Sequence, residues 1–331
     1  MTPTITKPPF TPHTTTTPAA QKQNFVQNAG AKPQVLKAPR KKAFTLDEDD
    51  AAYFKMLAFG TVGSGKTKIF ADLVLGGYKV AVLSTDIGDT GHLTIVNRLR
   101  AAGRMDLLKN CLIIPRDGYK EVNAFLTAPE KDCPELFDMN PDFLGWDGFG
   151  AWQQVDVSEY VGEMAPAKDK DRGDFRESGL VLEQQDWGAI RNATIRRLND
   201  FIRIHHPSGK KWHKILTCHE QIIYRETTTS SGQKRQEQVQ ESYKPMLSGA
   251  GGTLALGGVD LVLRCKVSTK KGLGEDKDTR VYTYVTRGHE NLVAKDRGFN
   301  LDAEEPADFL KLWSEKISKS FVTGINQPAS D

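Results

Sequence analysis

Eight consecutive residues, Gly60-Thr61-Val62-Gly63-Ser64-Gly65-Lys66-Thr67, constrain this chain more than any other stretch. They fit the pattern of Gly, four residues, then Gly-Lys-Thr, in which a loop wraps around a polyphosphate. The pattern carries weight only between a strand and a helix, and both flanks meet that demand. Tyr53 to Phe59 is an apolar segment of strand length, and Lys68 to Leu75 is apolar at helical spacing and closed by Gly76-Gly77. The glycines let successive backbone N–H groups turn inward around phosphates, and the helix N-terminus adds positive potential. Lys66 then reaches the β- and γ-phosphates, and the Thr67 hydroxyl ligates Mg²⁺. The bland alternative is a glycine turn between a strand and a helix.

The rest of the chain alternates in the same way. Lys79 to Asp86 reads as a buried strand ending in a carboxylate, followed by a loop through Asp89 and a helix over His92 to Arg104. A strand over Cys111 to Pro115 and a helix over Tyr119 to Leu126 come next. Pro141 to Phe149 is an apolar run containing Asp147. Asp156 to Leu182 carries mixed charge and reads as an excursion loop, and Trp187 to Ile204 as an amphipathic helix. Trp212 to Glu220 is the next strand, and Tyr224 to Tyr243 either a hairpin or a mobile loop. Gly249 to Gly252 reads as a flexible turn. Asp260 to Val267 and Arg280 to Thr286 are two strands joined by a polar turn, and a last helix covers Pro306 to Ile317. The expectation is an α/β fold with a mostly parallel central sheet and helices on both faces. Thr67, Asp86, Asp147 and His219 then fall at or just beyond the carboxyl ends of strands, where such sheets bind ligands.

Composition separates the ends from the middle. The first 46 residues hold seven of the sixteen prolines, a run of four threonines from Thr14, and no Asp or Glu. Such a segment buries too little apolar surface to offset its ordering entropy and reads as a disordered tail. It carries Lys7, Lys22, Lys32, Lys37, Arg40, Lys41 and Lys42; without these seven, the 45 basic residues become fewer than the 42 acidic ones. The basic arm is either a nucleic-acid contact or a solvated leader. Residues 47–320 form the expected single domain, with a flexible tail over 321–331. No signal-peptide core or membrane-length apolar run occurs, so a soluble, cytoplasmic protein without a membrane partner is expected. Cys111, Cys133, Cys218 and Cys265 lack metal-ligand or redox spacing and read as reduced thiols.

Asp147 is the candidate Walker B carboxylate, standing behind the immediate ligands of Mg²⁺, with the apolar Phe143-Leu144 preceding an unusual Gly145-Trp146; the alternative is a turn acid after a strand. Asp86 competes for that role, and strand order decides which carboxylate faces metal and which faces water.

The layout resembles the RecA-like recombinase core of P-loop NTPases, and most closely its short phage-encoded single-strand annealing and recombination ATPases. The matching pieces are Gly60 to Thr67, the stretch Ser84 to Asp89, Asp147, Thr217-Cys218-His219-Glu220, and Ala294-Lys295-Asp296-Arg297. The resemblance spans about Lys55 to Arg297. It implies ATP and Mg²⁺ as cofactors, Asp86 as the carboxylate that orients water, and His219 as the polar sensor of the γ-phosphate. It also implies that Lys295 and Arg297 complete the site of a neighbouring subunit, with Arg287 as a second candidate. Such a shared site belongs to a head-to-tail ring or filament of identical chains. Two mobile loops, Asp156 to Leu182 and Arg225 to Ser248, sit where the family contacts single-stranded DNA, and Arg225, Lys234, Arg235 and Lys244 are the candidate DNA-binding residues. Glutamate is usual at the water-orienting position, whereas Asp86 is one methylene shorter. A catalytic group misplaced by about 1 Å costs on the order of a hundredfold in rate, so slow hydrolysis is expected.

The function expected from these features is Mg²⁺-ATP-dependent single-stranded DNA binding in phage recombination or annealing, in the host cytoplasm. A single-strand-binding protein or replication component is a possible further partner. The alternatives are a helicase core or packaging motor of the same P-loop class, or a nucleotide-locked assembly protein with little turnover.

Overall fold

The computed structural model describes residues 53–85, 91–153, 184–228, 234–247, 256–270, 278–288 and 292–323, with backbone alone for 184–191, 222–228, 234–242 and 321–323. The chain divides into two units, Met1–Thr45 and Leu46–Asp331, and the first lies wholly outside the described residues. The tails expected over 1–46 and 321–331 therefore fall outside them, apart from the backbone of 321–323. The loop expected over Asp156 to Leu182 and the turn at Gly249 to Gly252 fall outside as well.

Lys55–Gly60 forms β1, whose last five residues are all buried. A strand buried on both faces belongs in the middle of a sheet with layers on either side. The other strands are β2 (Val80–Ser84), β3 (Cys111–Pro115), β4 (Phe143–Asp147), β5 (His213–Thr228), β6 (Lys234–Pro245), β7 (Leu261–Lys270), β8 (Thr279–Val285), β9 (Lys295–Asp296) and β10 (Glu304–Pro306). They build one open sheet in the order β10-β8-β7-β1-β5-β4-β2-β3, with β6 beside β5 and β9 beside β7. The contiguous strands from β7 to β3 are parallel, while β6, β8, β9 and β10 add antiparallel edges. The sheet is thus mixed and mostly parallel, with an antiparallel β7–β8–β10 flank on one side.

Alternation along β1 sends Leu57 and Phe59 into one core and Met56 and Ala58 into the other. The first core receives Val122 and Phe125 of α3 (Tyr119–Thr127) and Leu198 and Phe201 of α6 (Gln184–Arg203). The second receives Ile69, Phe70, Leu73 and Val74 of α1 (Lys68–Leu75) and Ile95 and Leu99 of α2 (Gly91–Ala101). Short helices α4 (Pro129–Asp132) and α5 (Pro134–Met139) each start on a proline, a position where the missing N–H costs nothing.

Three boundaries differ from the sequence expectation, each for a local reason. Helix α2 stops at Ala101 rather than Arg104. Gly103 has φ 66°, and Arg104 N–H bonds back to Leu99 O, a left-handed closure that ends the helix. A 3₁₀ run over Met105–Asn110 follows. Pro306 ends the edge strand β10 instead of opening the last helix, which begins as α7 (Phe309–Leu312) with Asp308 accepting from Lys311 N–H. That helix continues through a π-helical turn at Trp313–Ile317 into α8 (Ser318–Thr323). Finally, β5 runs on past Glu220 to Thr228 and pairs with β6, so the stretch from Tyr224 to Tyr243 contributes the two arms of a hairpin. All four cysteines are free thiols, three of them buried.

Candidate functional site

The glycine loop joins β1 to α1 at the carboxyl edge of the parallel strands. Gly63 and Gly65 have φ of 75° and 92°, left-handed values that a residue with a side chain adopts only under strain. Gly60 answers a different demand: a Cβ there would collide with the Cys265 carbonyl of β7. Inside the loop, Ser64 N–H bonds to Thr61 O at 3.2 Å, closing a turn whose tip is the exposed Val62. Lys66 folds its ammonium into this turn and donates to Gly60 O at 3.0 Å and Thr61 O at 2.9 Å. The Ser64 hydroxyl is buried and has no hydrogen-bond partner among the described residues.

Next to Lys66, the Thr67 hydroxyl donates to Asp147 Oδ2 at 2.8 Å. Asp147 ends β4, two strands away from β1, and only 3 % of its surface is exposed. The intervening strand β5 supplies Thr217, whose hydroxyl donates to the other carboxylate oxygen, Oδ1. Thr217 Oγ1 in turn accepts from Gly148 N–H at 3.2 Å. On the far side, Thr85 at the end of β2 donates from its N–H and its hydroxyl to Asp147 O, at 3.0 and 3.1 Å. Trp146 Nε1–H donates to the Thr85 hydroxyl at 3.0 Å. The carboxylate is thus held by Thr217 of β5 through Oδ1 and meets the loop through Oδ2, while Thr85 holds the Asp147 backbone.

The two residues that look unusual before Asp147 have packing reasons. A Cβ at Gly145 would collide with the Phe70 ring of α1, so glycine lets that helix lie close against β4. Trp146 lies on the opposite face, with ring centroids 4.9 Å from Phe149 and 5.3 Å from Phe201. Helix α1 is held further by Asp72, which accepts from Lys68 Nζ at 2.5 Å, Arg98 Nη2 at 2.9 Å and Phe309 N–H at 3.3 Å. Gly91, the first residue of α2, closes the site from above: a Cβ there would stand 3.0 Å from Asp147 Oδ2 and 3.7 Å from the Thr67 methyl.

The structure thus brings Gly60 to Thr67 and Asp147 together. His219 joins them, for its Cα pairs with Gly60 across β1 and β5. Asp86 lies outside the described residues, although its neighbour Thr85 is bonded to Asp147. Of the two competing carboxylates, Asp147 is the one seen against Thr67.

Lys295 and Arg297 stand elsewhere. Lys295 pairs with Val262 near the amino end of β7, whereas the loop is at the carboxyl end. Its ammonium donates to Val259 O at 2.5 Å and Leu256 O at 2.9 Å, and burial followed by the nearby Arg297 pulls its pKa down. Arg297 donates to Gly257 O at 3.2 Å and lies 3.8 Å from Asp260. Arg287 donates to Leu301 O at 3.2 Å. Lys295 and Arg297 are across the sheet from their own chain's loop, so any role at such a loop requires a second copy.

The hairpin places Arg225 opposite Glu237, Thr227 opposite Arg235, Thr228 opposite Lys234, and Gln221 opposite Lys244. Side chains of Arg225, Lys234 and Arg235 lie outside the described residues; Lys244 is half-buried.

Sequence reasoning gave no role to Thr217, Thr85 or Gly91. The signal for Thr217 was present, a hydroxyl inside the apolar run Ile215-Leu216-Thr217-Cys218, but polarity in a strand says nothing of its partner. It also missed the stack at the hairpin base. There the Arg264 guanidinium lies 3.3 Å from the Tyr243 ring centroid and donates to Glu220 at 2.7 Å. A comparison with models of known protein families finds no match to the chain, and a search of curated proteins finds none either. No helix among the described residues is long and apolar enough to cross a membrane.

Proposed function

We propose that the chain is a RecA-like P-loop ATPase that binds Mg²⁺-ATP at the glycine loop and acts on single-stranded DNA in phage recombination or annealing. The single observation that carries the nucleotide reading is the Thr67 hydroxyl 2.8 Å from Asp147 Oδ2, beside a lysine held by the loop's own carbonyls. A hydroxyl and a carboxylate are the hard oxygen donors that suit Mg²⁺, an ion that takes one or two carboxylates and completes its shell with phosphate and water. The orphaned Ser64 hydroxyl and the left-handed glycines fit a loop shaped around an anion.

In this reading Thr67 and Asp147 hold the metal, which neutralises charge on the phosphates. Lys66 leaves Gly60 O and Thr61 O for phosphate oxygens, and the loop amides fix their orientation. His219, beside Gly60, contacts the terminal phosphate. Asp86 orients water, with slow turnover because of its short side chain. Lys295 and Arg297 reach the site of an adjacent copy in a ring or filament. The hairpin of β5 and β6 continues directly from the strand that carries Thr217 and His219, which supports a strand-binding arm linked to the nucleotide.

The test is ATPase rate with and without single-stranded DNA, measured across protein concentration. Stimulation by DNA is expected, without unwinding or translocation, and activity rises with concentration. Arg297→Ala removes that rise; an arginine supplied in trans is worth roughly 10³–10⁵ in rate. Absence of any DNA effect on turnover and assembly would remove the DNA part of the proposal.

A further inference from the structure

Thr217 lies two residues before the end of the core segment of β5, buried to 1 % exposure between β1 and β4. Threonine hydroxyls commonly bond backbone groups close in sequence; this one instead bonds Asp147 at the end of β4 and Gly148 just past it. It donates to Asp147 Oδ1 and accepts from Gly148 N–H. Gly148 has φ 88°, so the chain turns sharply just after the carboxylate, and the Thr217 bond pins that turn.

A carboxylate has two equivalent oxygens and rotates between them unless its partners differ. Here they differ: Oδ1 is taken by Thr217 from β5, and Oδ2 by Thr67 from the loop. Gly91 borders Oδ2: a Cβ there would stand 3.0 Å from that oxygen and 3.7 Å from the Thr67 methyl, so glycine keeps a side chain from crowding it. The consequence of metal entry follows. A cation there would be ligated through a lone pair of the Thr67 oxygen, whose O–H can still donate to Oδ2, while Thr217, buried in the sheet, would keep Oδ1.

We propose that Thr217 is the positioning residue of the metal site, dictating that Asp147 presents Oδ2 to a divalent cation between Thr67 and Gly91. This rests on the nucleotide reading above and concerns the cation alone. Thr217 touches neither nucleotide nor metal; it acts through Asp147. Partners that orient a ligating carboxylate are typically worth about 10–100-fold in metal affinity.

The experiment titrates Mg²⁺ into the full chain with a fluorescent ATP analogue, alongside nucleotide binding in EDTA and thermal melting. Thr217→Val keeps the shape of the side chain and removes the hydroxyl. It is expected to raise the Mg²⁺ concentration for half-saturation about 10–100-fold, while metal-free nucleotide affinity stays at the wild-type value. Thr217→Ala gives the same shift and serves where valine impairs folding. Thr217→Ser restores the wild-type Mg²⁺ dependence. Wild-type Mg²⁺ dependence in the folded valine or alanine protein overturns the proposal, as does a serine protein as impaired as valine. A wild-type chain that binds no nucleotide, with or without Mg²⁺, overturns instead the reading of the loop on which this proposal stands.

Discussion

Lys66 and Lys214 are both buried, and both are bonded to backbone carbonyls, yet only one is suited to bind a ligand. Lys66 is 9 % exposed and its acceptors, Gly60 O and Thr61 O, belong to the loop around it. Lys214 lies at the opposite end of the sheet, opposite Lys55 at the start of β1, with no exposed surface. Its ammonium donates to Ile204 O at 2.6 Å, just past the end of α6, and sits 5.2 Å from the Trp212 ring and 5.8 Å from Phe201. Burial drives its pKa well below the usual lysine range. The difference teaches that burial alone does not mark a functional cation. What matters is whether an incoming anion can replace the present acceptors. At the loop it can if the proposed function holds, because phosphate oxygens would take the carbonyls' place; beside Lys214 the Trp212 and Phe201 rings leave no such exchange without opening the core.

The sharpest way to break this comparison is to remove each ammonium in turn. Lys66→Ala deletes charge-assisted bonds worth about 1.5–3 kcal/mol each, so nucleotide affinity falls by more than about a hundredfold in an equilibrium titration. Lys214→Met leaves nucleotide affinity unchanged in the same titration. A Lys214 variant that loses nucleotide while remaining folded would show that both ends of the sheet serve the ligand.

His213, beside Lys214, sharpens the contrast through pH. Its Nδ1 accepts from Phe54 N–H at 3.2 Å, and its ring packs 4.8 Å from Trp313. Burial lowers its pKa to about 4. The unfolded chain takes up this proton below about pH 6.5, and the folded chain only near pH 4. The stabilising preference for neutral His213 is thus complete above pH 6.5 and is lost as pH falls towards 4, by roughly 3 kcal/mol in total. Urea titrations between pH 7 and 4 are expected to show that loss in the wild type and a smaller one in His213→Leu; equal slopes would exclude His213 as the cause.

The smallest effect belongs to the roof of the site. Gly91→Ala places a methyl 3.0 Å from Asp147 Oδ2. Crowding of this kind costs roughly 1 kcal/mol, read as about a fivefold rise in half-saturating Mg²⁺ with little change in melting temperature. An unchanged Mg²⁺ requirement would mean that α2 does not border the proposed cation position.

Much of this was legible in residues 60–67, because the phosphate-loop pattern is local: glycines where φ turns positive, a lysine, and a hydroxyl at the helix start. The strand–helix alternation was legible for the same reason, since periodicity reports which face is buried. The edges were less so. Pro306 reads equally well as a helix start and as the end of an edge strand, and the choice depended on β8 offering a free edge. The paired arms of β5 and β6 read equally as hairpin or mobile loop, because polar strands carry no periodic apolar signal.

By itself, then, the sequence determined the loop, the strand and helix around it, and the set of polar residues at strand ends. Those features rest on interactions among residues close in the chain. Only the tertiary structure decided that Asp147 meets Thr67 from 80 residues away, that Thr217 claims its other oxygen, and that Lys295 and Arg297 lie at the far end of the sheet. Strand order sets such meetings, and strand order follows from how two hydrophobic faces are covered at once, which no short stretch of sequence encodes.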